Sequence, residues 1–190
     1  MSGDVARGMA AFALLVVVML SVATFEGARF REHDVPWTTT SLALAPQEGT
    51  LEEGATHDAA LAVEGPNVAA VVFRLLWQDD VGAGDAFSLR VAGPQGQNGT
   101  AGPDGAGELV VRIEVAQPPA RLLGPNAAGA RHLAAMLVDP VTGAGAWTAS
   151  VTLDAAPGAA LALGGVETQP DGSNPWRLET TVETYAVRAD

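Results

Sequence analysis

VVFRLLWQ, residues 71–78, puts Val71, Phe73, Leu75 and Trp77 on one parity and Val72, Arg74, Leu76 and Gln78 on the other. Side chains alternate across a strand, so the run reads as a strand buried on one face and partly covered on the other. Downstream, Phe87, Leu89 and Val91 alternate with Ser88, Arg90 and Ala92. The two runs are separated only by Asp79-Asp80 and a Gly-rich connection, which predicts neighbouring antiparallel strands. Leu109, Val111, Ile113 and Val115 form another inward row, with Glu108, Arg112 and Glu114 facing water, and Pro118-Pro119 closes it. Trp147, Ala149, Val151 and Leu153 repeat the pattern. A last strand runs from Trp176 through Leu178, Thr180 and Val182, and the switch of parity to Tyr185 and Val187 predicts either a bulge or burial on both faces near its end.

The weaker segments fill in around these rows. Residues 37–44, rich in Thr, read as a first strand, stopped by Ala45-Pro46 and an acidic loop over 47–54. From His57 the period is two, with Ala60, Ala62 and Val68 placed inward. Gly93-Pro94-Gln95-Gly96 is a turn, and the Gly-rich stretch through Gly107 reads as a loop or hairpin tip. Leu133, Met136 and Leu137 have helical spacing behind Asn126, a cap residue, which predicts a short helix over 126–137. A short strand over 159–164 and a polar turn over 169–175 complete the reading. Seven or eight strands with Gly and Pro turns predict a mainly β chain, a single antiparallel β-sandwich of jelly-roll or Ig-like type over residues 37–190.

Two stretches resemble known modules. LLWQDDVGAGDAFSLRVAGPQG, residues 75–96, resembles the β-sandwich domains at the C-termini of secreted subtilisin-like proteases and the related pre-peptidase C-terminal domains. There an aromatic-ended strand, an acidic turn and a D-x-x-x-L-x-V strand precede a Pro-x-Gly turn. GAWTASVTL, residues 145–153, resembles the later Gly-x-Trp strand of the same modules. The resemblance implies a jelly-roll-like sandwich. Those modules accompany a catalytic domain, and this sequence has none, so a role as a protease appendage does not carry over.

Ahead of the strands, MAAFALLVVVMLSVATF, residues 9–25, carries no charge. As a helix it is roughly 25 Å long, against about 30 Å for a hydrocarbon core, and Gly8 and the long side chain of Arg29 extend its reach. We read residues 1–8 as a short tail, 9–25 as a transmembrane helix or signal anchor, and 26–36 as a juxtamembrane collar. A secretory signal cut after Ser21-Val22-Ala23 is the alternative. Arg7-Gly8 before an apolar helix and a β-rich domain also resembles the class III signal of archaeal pilins and archaellins, which implies processing before Met9. Arginine counts do not fix the orientation, since Arg7 precedes the run while Arg29 and Arg31 follow it.

Composition narrows the chemistry. A net charge of −12 with no lysine excludes a basic nucleic-acid-binding face. The absence of cysteine excludes disulfides and thiolate metal sites. Asp79, Asp80 and Asp85 cluster in one tight loop and are the candidate ligands for calcium; a solvated turn with Asp side chains capping amides is the competing reading. Glu52, Glu53 and Asp58 read as a solvated acidic loop. His33, His57 and His132 lack ligand spacing, and no G-x-S-x-G elbow occurs. The Gly-rich 98–107 stretch joins no strand to a helix with a basic residue, which argues against phosphate binding. Asn98-Gly99-Thr100 is a glycosylation sequon, with Asn98 as acceptor. Trp77, Trp147 and Trp176 read as core in preference to a carbohydrate platform. The expectation is a membrane-anchored, extracytoplasmic β-sandwich with a binding or structural role and no catalysis. Its partners are membrane lipid through the N-terminal helix and a cell-surface protein. A pilin-like filament subunit is the alternative.

Overall fold

Alternating apolar residues build eleven strands and one helix in a computed structural model that describes residues 31–78, 84–137, 139–157 and 174–188. The 9–25 run, the 159–164 strand and most of the 169–175 turn lie outside the described residues. Among the described residues no helix is long and apolar enough to cross a membrane. The fold is mainly β with antiparallel sheets, and the chain divides into two units.

The larger unit takes residues 38–118 and 138–186. Its four-stranded sheet has the order β4 (Thr56–Val63), β10 (Gly145–Ala155), β6 (Ala86–Ala92), β7 (Asn98–Asp104). The other sheet runs β2 (Trp37–Ala43), β11 (Asn174–Val187), β5 (Val68–Trp77), β8 (Glu108–Glu114), with β3 (Gln47–Leu51) also pairing with β11. One apolar cluster joins both sheets. Phe73, Leu75, Phe87, Leu89, Trp147, Val151 and Leu178 are all essentially removed from solvent in it, giving a sandwich-like body. Trp147 lies 5.8 Å from the Phe73 ring, and its indole N–H donates to Gly143 O at 2.9 Å. Trp77 donates to the Asp85 carbonyl at 3.0 Å, so both indoles satisfy their polar atom while buried.

The four strong rows have the expected parity, and of the two expectations for the end of β11 the bulge is present, as a register shift between Glu183 and Thr184. Other expectations are corrected. β5 and β6 are not neighbours: β5 pairs with β8 and β11, while β6 pairs with β10 and β7. The connection after Gln78 passes from one sheet to the other, and periodicity states which face is buried without stating which strand is the partner. On β4 the inward residues are Ala59, Leu61 and Val63, and Ala60 and Ala62 are exposed. Burying Leu and Val removes more apolar area than burying Ala, and the strand turns that way. Residues 47–51, expected in a loop, form β3 because Leu51 is buried and Gly49 sits opposite Trp176.

The Gly-rich 98–104 segment is likewise a strand, β7, paired with β6. Gly99 explains how. A Cβ there would lie 2.6 Å from Val111 Cγ1 and 3.4 Å from the Ile113 side chain, so only a residue without a side chain lets β7 approach β8.

The smaller unit comprises, among the described residues, 31–37, 119–137 and 187–188. β1 (Arg31–Asp34) pairs antiparallel with β9 (Arg121–Gly124), so part of the expected collar is strand. Helix α1 (Ala127–Met136) covers one face of this pair. Asn126 caps it as predicted, its Oδ1 accepting the Gly129 amide at 2.7 Å. The buried residues are Ala130 and Ala134, with Ala130 against Gly124. Leu133, Met136 and Leu137, the residues whose spacing predicts the helix, are exposed by 43, 67 and 49 %. Small residues pack inward because the helix lies almost in backbone contact with β9.

Candidate functional site

On a strand whose inner residues fill the core, the alternate residues must face outward, and on the five-stranded sheet they form a groove at the end of β5. Glu48 and Thr50 from β3, Leu76 and Gln78 from β5 and its exit, and Pro175 and Arg177 from β11 line a hollow of about 770 Å³. Leu76 and Pro175 supply apolar surface. The Arg177 guanidinium is shared between Glu48 at 3.1 Å and Glu179 at 3.1 Å, so its charge is compensated within the sheet. Beneath it, Trp176 is 3 % exposed, lies over Gly49 and meets the His57 ring at 5.1 Å. Its indole nitrogen has no hydrogen-bond partner among the described residues. A concave surface of this size with a few polar groups is suited to binding.

Away from this groove the same face is ordered by ion pairs. Arg74 bridges Glu108 at 2.7 Å and Glu179 at 3.6 Å, while Arg112 grips Glu183 through two nitrogens at 2.6 and 2.7 Å and Glu114 at 2.6 Å. The hydrogen bonds from Arg112 hold the Glu183 carboxyl below the usual carboxylate range, and that from Arg74 does the same for Glu108.

A second hollow of about 530 Å³ lies on the four-stranded sheet, lined by Ser88, Arg90, Thr100, Ser150, Thr152 and Asp154 among others. Ser150 Oγ donates to Asp58 Oδ1 at 2.6 Å, and Thr152 and Thr56 share a hydrogen bond at 2.8 Å. His57 neighbours Asp58 in sequence but points to the opposite face of β4, toward Trp176, so no Ser-His-Asp relay forms there.

The remaining sequence candidates scatter. Asp85 is 1 % exposed, whereas Asp79 and Asp80 lie outside the described residues. Among the described residues no three His, Asp or Glu side chains gather as a metal would need. Asn98 is exposed at the start of β7, which ends its sheet, and its amide nitrogen donates to Gly96 O at 3.2 Å. Glu52 and Glu53 are exposed beside a turn, and Asp58 sits on β4 instead of in their loop. His33 is half-buried on β1 with Nε2 unpartnered among the described residues, and His132 is exposed on α1. Trp77, Trp147 and Trp176 are core residues, with Trp77 and Trp176 also flooring the groove. The groove itself escapes sequence reading because two of its walls come from β3. The alternation of Gln47, Gly49 and Leu51 with Glu48 and Thr50 was the available signal.

No family model matches the sequence, and no curated protein matches it. Among solved structures the chain is similar to PliG from Aeromonas hydrophila, a periplasmic inhibitor of g-type lysozyme, at 13 % identity and a TM-score of 0.32, covering 75 % of this chain and 85 % of that one. It is similar to the Yersinia pseudotuberculosis-derived mitogen at 8 % identity and a TM-score of 0.35, covering 80 % and 90 %. It is also similar to a serine protease of Aeromonas sobria at 9 % identity and a TM-score of 0.34, covering 76 % and 27 %. These scores are low, and the likenesses assign neither a family nor an activity to this chain.

Proposed function

We propose that this chain is a single-span membrane protein that presents a jelly-roll or Ig-like sandwich outside the cytoplasm. It works by binding or by supporting a surface assembly, and it catalyses nothing. The observation that carries the reading is the uncharged run at 9–25, which stops six positions before β1 begins. The groove beside Leu76 and Pro175 is the surface on which a cell-surface partner seats. A calcium ion on Asp79, Asp80 and Asp85 and a glycan on Asn98 belong to the same proposal.

Protease treatment of intact cells tests the orientation: the β-rich body is digested if it lies outside, and its survival sinks the proposal. Mass spectrometry of the membrane-extracted chain tests the anchor. An intact N-terminus supports it, and a start at Thr24 identifies a secreted domain. A start at Met9 supports the second reading, a pilin-like filament subunit, which Arg7-Gly8 before the apolar run favours.

A further inference from the structure

Helix α1 turns an apolar ridge outward. Leu133, Met136 and Leu137, at positions i, i+3 and i+4, share one side of the helix and are 43, 67 and 49 % exposed. An apolar ridge left in water is unfavourable unless something covers it.

Charge indicates what the cover is. Among the described residues the smaller unit holds four arginines, Arg31, Arg121, Arg131 and Arg188, against two acids, Glu32 and Asp34, whereas the larger unit holds four arginines against thirteen acids. No acidic residue falls between Glu114 and Asp139, the longest acid-free stretch in a chain with 22 acids, and α1 lies inside it. The tether points the same way. Only residues 26–30 separate the 9–25 run from β1, a reach of about 17 Å when extended.

We propose that α1 lies on the membrane surface, with Leu133, Met136 and Leu137 sunk at the boundary between headgroups and acyl chains; Arg121 is engaged by Asp34 at 2.9 Å and Glu32 at 3.9 Å, so the contacts to anionic headgroups fall to the exposed Arg31 and Arg188. This rests on the membrane-anchor reading above. It assigns that unit as a footplate that seats on lipid, which an anchor alone does not require.

The chain has no cysteine, so a single label can be placed without background. Full-length M136C carrying a fluorophore is reconstituted in phosphatidylcholine vesicles containing phosphatidylglycerol and a nitroxide-bearing lipid. V110C, exposed on the larger unit, is the control. The expected result is quenching severalfold stronger at position 136 than at 110, reduced by an added Leu133→Glu and weaker when phosphatidylglycerol is omitted. Flotation after a carbonate wash reports the anchor separately. A chain that floats while both labels quench alike overturns the footplate alone, and a chain that does not float overturns the anchor with it. A label at 136 shielded from aqueous iodide yet untouched by the nitroxide lipid means that residues 9–25 or a second copy cover the ridge, which also overturns the proposal. Equal quenching without phosphatidylglycerol overturns the role of headgroup charge.

Discussion

Replacing Gly99 by alanine tests whether β7 is the strand that meets β8. The added Cβ would stand 2.6 Å from Val111 Cγ1, about 1 Å inside ordinary contact between carbons. Val111 is 5 % exposed and β-branched, so it has little freedom to rotate away. Overpacking of this kind costs about 1–3 kcal/mol, and alanine recovers about 0.5–1 kcal/mol by restricting the unfolded backbone. The net expectation is a loss of about 1–2 kcal/mol. For a chain of this size each kcal/mol moves the melting temperature by about 2–4 °C, so Gly99→Ala melts several degrees lower. Val111→Ala alone is destabilising through the cavity it leaves, but in the Gly99→Ala background it also relieves the clash. The double variant is therefore more stable than the sum of the single changes by about 1 kcal/mol or more. Thermal melts of the four proteins in mild detergent, followed by tryptophan fluorescence, give this cycle. Were Gly99→Ala neutral or stabilising, or were the two effects simply additive, the Gly-rich segment would be the loop that its composition suggests and the packing argument would fail.

Further predictions follow from other contacts. Trp147→Phe removes the indole N–H that satisfies Gly143 O inside the core, along with part of the ring area, and is expected to cost about 2–3 kcal/mol by the same melts. Glu183 has its carboxyl held low by Arg112, so the pair stabilises the fold above the unfolded carboxylate range and loses that contribution as pH falls through the depressed folded value. Arg112→Gln is thus less stable than the parent near neutrality, by about 0.5–1 kcal/mol, and the difference closes at acid pH, which paired pH series of melting temperatures will read. Asn126→Ala removes the side-chain acceptor for the Gly129 amide at the start of α1 and is expected to cost about 1 kcal/mol locally, seen as faster amide exchange in 127–131 with the larger sheets unchanged.

What could be read from the sequence was the set of faces. Where large apolar residues alternate with mostly charged or hydroxyl ones, as on β8 and β10, the buried parity is fixed before any partner is known, because a slip of one residue would expose the whole row. Reading failed where the side chains are small. Ala59 through Val63 on β4 has apolar residues on both parities, and only the larger Leu61 and Val63 break the tie. β3 and β7 were hidden behind Glu and Gly, residues poor in strand propensity, because their strand character depends on Trp176 lying over Gly49 and on β8 approaching Gly99. The same long-range closeness sets the buried side of α1, where Ala130 packs against Gly124 almost backbone to backbone. The groove inherits this limit, since Glu48, Thr50 and Arg177 meet only once β3 and β11 have paired.

β11 has β2 and β3 on one side and β5 on the other, and all three precede it in the chain. Until its residues have left the ribosome, the larger sheet has no middle, and β5 presents an unmet row of amides and carbonyls to whatever is nearby. The five-stranded sheet is therefore completed only when the last strand arrives, after all four strands of the other sheet have been made.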